Sequence, residues 1–144
     1  MSNTPDWTNP ASQVTPHFTV HDCCFLPSWG QLASPGPDEQ VALLGLCQRM
    51  EQVRSALGDR PIITHVTLRP PAYNAQVGGA PMSAHIHGKA MDFHVVGVTC
   101  DAVRGVLEPL LEGLGMRMER RPGSDWVHLD TNPVPPGGNR YFWP

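Results

Sequence analysis

Three side chains able to hold a metal, His85, His87 and Asp92, fall within eight residues, between Gly78-Gly79 and an aliphatic-aromatic run that starts at Phe93. A second cluster, Asp125-Trp126-Val127-His128-Leu129-Asp130, follows beyond a helical pattern. Zinc accepts imidazole and carboxylate ligands, and a catalytic site uses three protein ligands plus water. His85 and Asp92 can chelate one ion if the chain turns back at Gly88, with His128 joining from a neighbouring strand. His85/His87 and His87/His94 are weaker pairs, because Gly88 argues for a turn just after His87. The plain alternative is a set of ordinary structural histidines.

Around such an ion, amide cleavage needs a group that moves a proton. Asp125, three residues before His128, is the candidate general base. Asp130 is its rival, or else orients an imidazole from behind. Arg69 stands at the mouth of a strand closed by Pro70-Pro71 and suits a substrate carboxylate or a developing oxyanion, or simply a surface ion pair. His17, His21 and His65 lack clustered partners and read as structural or surface groups, as does His94.

The elements that must carry these groups are legible in part. Residues 1–16 read as an irregular arm, His17 to Val20 as a short strand or docking segment, and Pro27 to Pro37 as loop. Pro37 or Asp38 opens a helix to about Leu57, its apolar stripe being Val41, Leu44, Met50, Val53 and Leu57 with Leu46 and Cys47 beside it, and Gly58 ends it. Pro61 to Leu68 is β-branched and predicts a strand. Ala72 to Val77 forms one or two helical turns. Lys89 to Val96 is a strand whose period of two sets Ala90, Asp92 and His94 on a site-facing side and Met91, Phe93 and Val95 in the core. Thr99 caps a helix from Cys100 to Glu112 or Leu114, with Val103, Val106, Leu107, Leu110 and Leu111 buried and Gly113 and Gly115 at its end. Met116 to Glu119 alternates as a half-exposed strand, Arg120 to Ser124 turns, and Asp125 to Asp130 is a final strand. Residues 131–144 form a Pro/Gly-rich tail whose Tyr141-Phe142-Trp143 pack back. The fold class is α+β, a small, mainly antiparallel sheet against helices.

Composition limits the rest. A chain of 144 residues, 40% apolar and 16% charged, suits one domain with its own core. Net charge is −3 and Lys89 is the only lysine, so there is no electrostatic case for nucleic acid or an anionic membrane. Met1 to Pro16 has no signal-peptide core, and no 18-residue apolar run predicts a membrane span. Synthesis in the cytoplasm is expected, with action elsewhere after release or non-classical export. Cys23, Cys24, Cys47 and Cys100 lack paired CxxC spacing and read as reduced, mostly buried side chains.

Taken together, Ser83-x-His85-x-x-Gly88-x-Ala90-x-Asp92 followed by Trp126-x-His128 resembles the signature of the zinc D-alanyl-D-alanine carboxypeptidase family. That family includes peptidoglycan carboxypeptidases, D,D-dipeptidases and phage cell-wall endopeptidases, and shares its fold with the hedgehog signalling domain. The resemblance runs from about Phe18 to Asp130. It implies one zinc ion per chain held by His85, Asp92 and His128, with Asp125 in the place of the usual catalytic glutamate. It implies that Arg69 stabilises the oxyanion, within a stretch, Arg69 to Gly79, similar to the family's arginine-proline-tyrosine-asparagine-glycine segment and containing Tyr73 and Asn74. Ser83 is implied as a hydrogen-bonding support, while His87, Tyr73, Asn74, Trp126 and Asp130 are expected to line or brace the cleft. The sequence departs at Val66-Thr67-Leu68, where serine-glycine-tyrosine is usual, and at Asp125, one methylene short. The implied substrate is a peptidoglycan stem or cross-link peptide, cut by a monomeric carboxypeptidase or endopeptidase, a phage endolysin among the options. A non-catalytic zinc-stabilised binding domain is the competing expectation.

Overall fold

The computed structural model describes residues 4–144. A hairpin of β1 (Gln13–Thr15) and β2 (Phe18–Thr19) leads directly into α1 (Val20–Cys24). The first three residues of the expected irregular arm lie outside the described part, and Gln13–Thr15 near its end form β1. Thr19 and Asp22 form a reciprocal capping box that starts α1, a helix too short for its apolar period to show in the sequence. β3 (Phe25–Leu26), just before the expected loop, then pairs with β4 (Gln31–Leu32) inside it.

α2 (Pro37–Ala56) is the long predicted helix, with Pro37 in its first turn. Its buried stripe is Leu43, Leu46, Cys47, Met50 and Val53, not one through Val41 and Leu44, which are exposed. Steps of three and four from Leu43 stay on one face, and Val41 and Leu44 fall off it. On its flank, Glu51 accepts hydrogen bonds from the Thr15 hydroxyl and the His17 amide, and pairs with the His17 ring at 2.7 Å. Burial pushes the Glu51 carboxyl up, but the bonds from His17 and Thr15 outweigh it and lower its pKa. A lowered folded pKa stabilises above the unfolded value of ~4.3, and the gain is lost as pH falls through the folded value. Glu51→Gln should therefore flatten the acid limb of a urea-midpoint-against-pH curve; unchanged slopes would show that this tether contributes nothing.

The main sheet comes next. β5 (Ile62–Val66) is followed by α3 (Pro71–Gln76), a 3-10 turn at Ala84–His87 and β6 (Ala90–Val95). The predicted helix after Thr99 is present but broken. α4 (Cys100–Leu107) gives way to a 3-10 turn at Glu108–Leu110 and then α5 (Leu111–Leu114). Pro109 has no N–H to continue the ladder, and its ring crowds the preceding turn. Val103, Leu107 and Leu111 are buried, whereas Val106 and Leu110 are exposed; Gly115, at φ +67°, supplies the left-handed stop, and Gly113 lies inside α5. β7 (Arg117–Glu119) and β8 (Val127–Asp130) follow, and β9 (Tyr141–Phe142) lies in the tail. β8 is thus not the last strand.

Strand order is β5-β6-β8-β7-β9, antiparallel except for the parallel β7–β9 pair. Met91, Leu129 and Met118 form one cross-strand row facing the helices, and Phe93 opposes Val127 beside it. All five are fully buried, each contributing about 1.5–3 kcal/mol. The opposite side carries Asp92 opposite His128 and Arg117 opposite Asp130. The α+β class is as expected. All four cysteines are free thiols, with only Cys100 not fully buried. No helix among the described residues is long and apolar enough to cross a membrane.

Candidate active site

Asp92 and His128 are direct cross-strand partners, so the pleat delivers both to one face without help from loops. His85 arrives from the 3-10 turn. Ser83 caps that turn by accepting the His85 amide, and Gly88 ends it at φ +71°. Any side chain at Gly88 would also press on Leu43 Cγ at 3.0 Å, so the return toward β6 depends on glycine.

One ligand atom from each of His85, Asp92 and His128 lies within 4.8 Å of the other two. Asp92 Oδ1 is 3.1 Å from His85 Nε2 and 2.9 Å from His128 Nδ1. The far side of each ring is occupied. His85 Nδ1 donates to the Thr67 carbonyl at 2.7 Å, and His128 Nε2 to Asp130 Oδ2 at 2.9 Å. Asp130 is in turn gripped by Arg117 through two bonds, of 2.8 and 3.0 Å. Metal-binding imidazoles are commonly oriented in this way, by a carbonyl or a carboxylate on the other nitrogen. Two imidazoles aimed at one carboxylate oxygen, each with its outer nitrogen engaged, fit a zinc ion.

The electrostatics point the same way. Burial opposes charge on His128, but hydrogen bonds to Asp130 and Asp92 prevail and push its pKa up to about 9. Burial likewise opposes ionised Asp92, yet the two histidines hold it well below the usual carboxylate range. Asp92 and Asp130 thus bracket the His128 ring and favour positive charge at that point.

These residues line a cleft of about 710 Å³ together with Arg69, Ser83, Arg117, Glu119, Arg121, Trp126, Phe142 and others. Arg69 makes no salt bridge among the described residues. Its Nε is buried without a partner, and Nη2 reaches only the Ser83 hydroxyl, at 3.4 Å. Tyr73 and Asn74 brace the wall from behind. Tyr73 accepts the Ser28 amide, and Asn74 donates to the Ala80 carbonyl. Gly79 leaves no room there, since a Cβ would lie 2.1 Å from Asn74 Oδ1 and 3.1 Å from Arg69 Nη1. Gly79→Ala should displace Asn74 and cost about 1–3 kcal/mol, as overpacking does, with a lower Tm and weaker activity. An unchanged Tm would show that the wall gives freely.

Two expectations need correction. His87 is exposed and lines a separate hollow against α2 with Asp38, Glu39 and Lys89, so it does not line the cleft. The 3-10 turn sends its two histidines in different directions. Asp125 lines an adjoining cavity of about 570 Å³ with His65, His94 and Cys100, rather than the cleft of the triad. β8 starts only at Val127, and an odd offset of three residues from His128 does not return to its face. His65 and His94 are not isolated either: their ring nitrogens meet at 2.6 Å across β5 and β6. Sequence reasoning missed Glu119, Arg117 and Arg121, although the Met116–Glu119 alternation already placed Arg117 and Glu119 together on one face.

Comparison with known proteins agrees with this geometry. A family model described as peptidase M15 matches residues 17–130. The peptidoglycan L,D-endopeptidase MepK of Escherichia coli K12 is 34% identical over 98 residues, covering 67% of this chain and 50% of that protein. MepK of Shigella flexneri matches to the same extent. The chain thus spans about half the length of these curated relatives. With the matched segment containing every member of the triad, the chain belongs to the peptidase M15 family.

Proposed function

We propose that this protein is a zinc-dependent endopeptidase that hydrolyses an amide bond in peptidoglycan peptides. The observation that carries the reading is the convergence of His85, Asp92 and His128 on one point, with both rings oriented by partners behind them. His85 Nε2, Asp92 and His128 Nδ1 would hold one zinc ion per chain. When bound, zinc supplies Lewis acidity and lowers the pKa of water towards ~7.

The chain's own groups supply the rest. Arg69, with unused donors at the cleft wall, receives the negative charge that grows on the scissile carbonyl oxygen. Ser83 keeps the guanidinium in place while capping the turn that carries His85. Trp126, with the Arg121 guanidinium 5.2 Å from its ring centre, and Phe142 offer apolar walls for a peptide. Endopeptidase action is favoured over D-alanyl-D-alanine carboxypeptidase action because the matched relatives are endopeptidases.

The test is mass spectrometry of products from purified peptidoglycan, with zinc measured on the same sample. One zinc per chain and fragments cut within cross-link peptides are expected. Release of terminal D-alanine alone would make it a carboxypeptidase, and zinc binding without cleavage of any substrate would make it a binding domain.

A further inference from the structure

We infer that Glu119, rather than Asp125, is the carboxylate that shuttles the proton in this reaction; the assignment rests on the peptidase reading above. The register that sets Arg117 opposite Asp130 and Met118 opposite Leu129 carries Glu119 to the position opposite His128. His128 is itself opposite Asp92 on its other side. Continuing that register, one row across β6, β8 and β7 reads Asp92, His128, Glu119, all on one face, and side chains placed so are near enough to interact. Glu119 lines the same cleft as the triad, and its charge acts on both His128 and Arg69.

Its local bonding suits the task. Arg121 Nε donates to Oε2, which fixes the carboxylate and balances part of its charge. Oε1 has no hydrogen-bond partner among the described residues. Asp125 has none of these properties. It sits at a bend before β8, in the adjoining cavity, where its charge acts on His65 and Cys100.

The step balances simply. Glu119 takes one proton from the attacking water as the water oxygen bonds to the amide carbon. It then gives that proton to the nitrogen as the C–N bond breaks, and so regains its charge for the next turnover.

Glu119→Gln, Glu119→Asp and Asp125→Asn should be compared with wild type in three measurements: zinc stoichiometry, zinc affinity by chelator competition, and kcat and KM against pH on a cross-linked muropeptide. Glu119→Gln should keep one zinc at near wild-type affinity while kcat falls at least ~100-fold, with KM little changed. Glu119→Asp keeps a carboxylate and should recover part of kcat. Asp125→Asn should turn over like wild type. Loss of zinc from Glu119→Gln would make Glu119 a ligand and overturn the assignment, as would full activity in that variant or inactivity of zinc-loaded Asp125→Asn. If wild type cleaves nothing, the peptidase reading falls and takes this assignment with it. If wild type and Glu119→Gln cleave equally, only the assignment falls.

Discussion

His128→Ala should yield a folded protein that no longer retains zinc through dialysis and whose cleavage of peptidoglycan drops by more than ~10³-fold, since the ion supplies several kcal/mol of transition-state stabilisation. His128 is the central member of its row, with Asp92 on one side and Asp130 behind it, and alanine removes both ring nitrogens, Nδ1 facing Asp92 and Nε2 facing Asp130. Two ligands, His85 and Asp92, then remain. Losing even a partner behind a ligand typically costs 10- to 100-fold in metal affinity, so losing the ligand costs more. Asp130→Asn is the graded control and should weaken zinc within that smaller range. The fold should survive because Arg117 still neutralises buried Asp130 through two hydrogen bonds. Elemental analysis, chelator competition and a thermal melt check the three parts. Equal zinc in His128→Ala and wild type would remove His128 from the ligand set.

Arg69→Ala should retain zinc and lose about 10²- to 10³-fold in kcat, the usual cost of removing a donor aimed at developing negative charge. The distinguishing feature is unused capacity. Arg69 is half-buried, and its buried Nε pays a desolvation cost with no hydrogen bond in return among the described residues. Burial accordingly lowers the Arg69 pKa, while the charges of Asp92, Tyr73 and Glu119 oppose that shift. Arg69→Lys should recover little, since an ammonium cannot offer the planar fork that holds both Ser83 and a substrate oxygen. Kinetics on zinc-loaded variants, with Tm alongside, separate this from a packing defect. Wild-type kcat in Arg69→Ala would rule out the role.

The parts of this molecule that could be read from sequence are those governed by local period. The 20-residue span of α2, the two faces of β6 and the caps at Thr99 and Gly115 each follow from residues within a turn or two. The triad was legible for a related reason, because His85 and Asp92 bracket one glycine turn. What stayed hidden depends on register between distant strands. Nothing near Glu119 in sequence says that it opposes His128, and nothing near Tyr141 says that it pairs with Met118. Asp125 shows the converse. Proximity in sequence to His128 made it attractive, yet the late start of β8 sends it to another cavity. Pro109 was visible throughout, and its effect on the helix after Thr99 needed only the missing N–H.

Along the cleft, Arg69, Arg117 and Arg121 stand against Asp92, Glu119 and Asp130, so fixed guanidinium and carboxylate charges cancel in number. A bound divalent ion then sets the sign of the local potential. Loaded protein presents a cationic focus inside a near-neutral wall, and a peptide bearing free carboxylates is drawn inward over roughly a Debye length, about 8 Å at physiological salt. Capture of such a peptide should weaken with ionic strength only when a metal is present, in which case the bound ion would act as an electrostatic guide before any bond is cut.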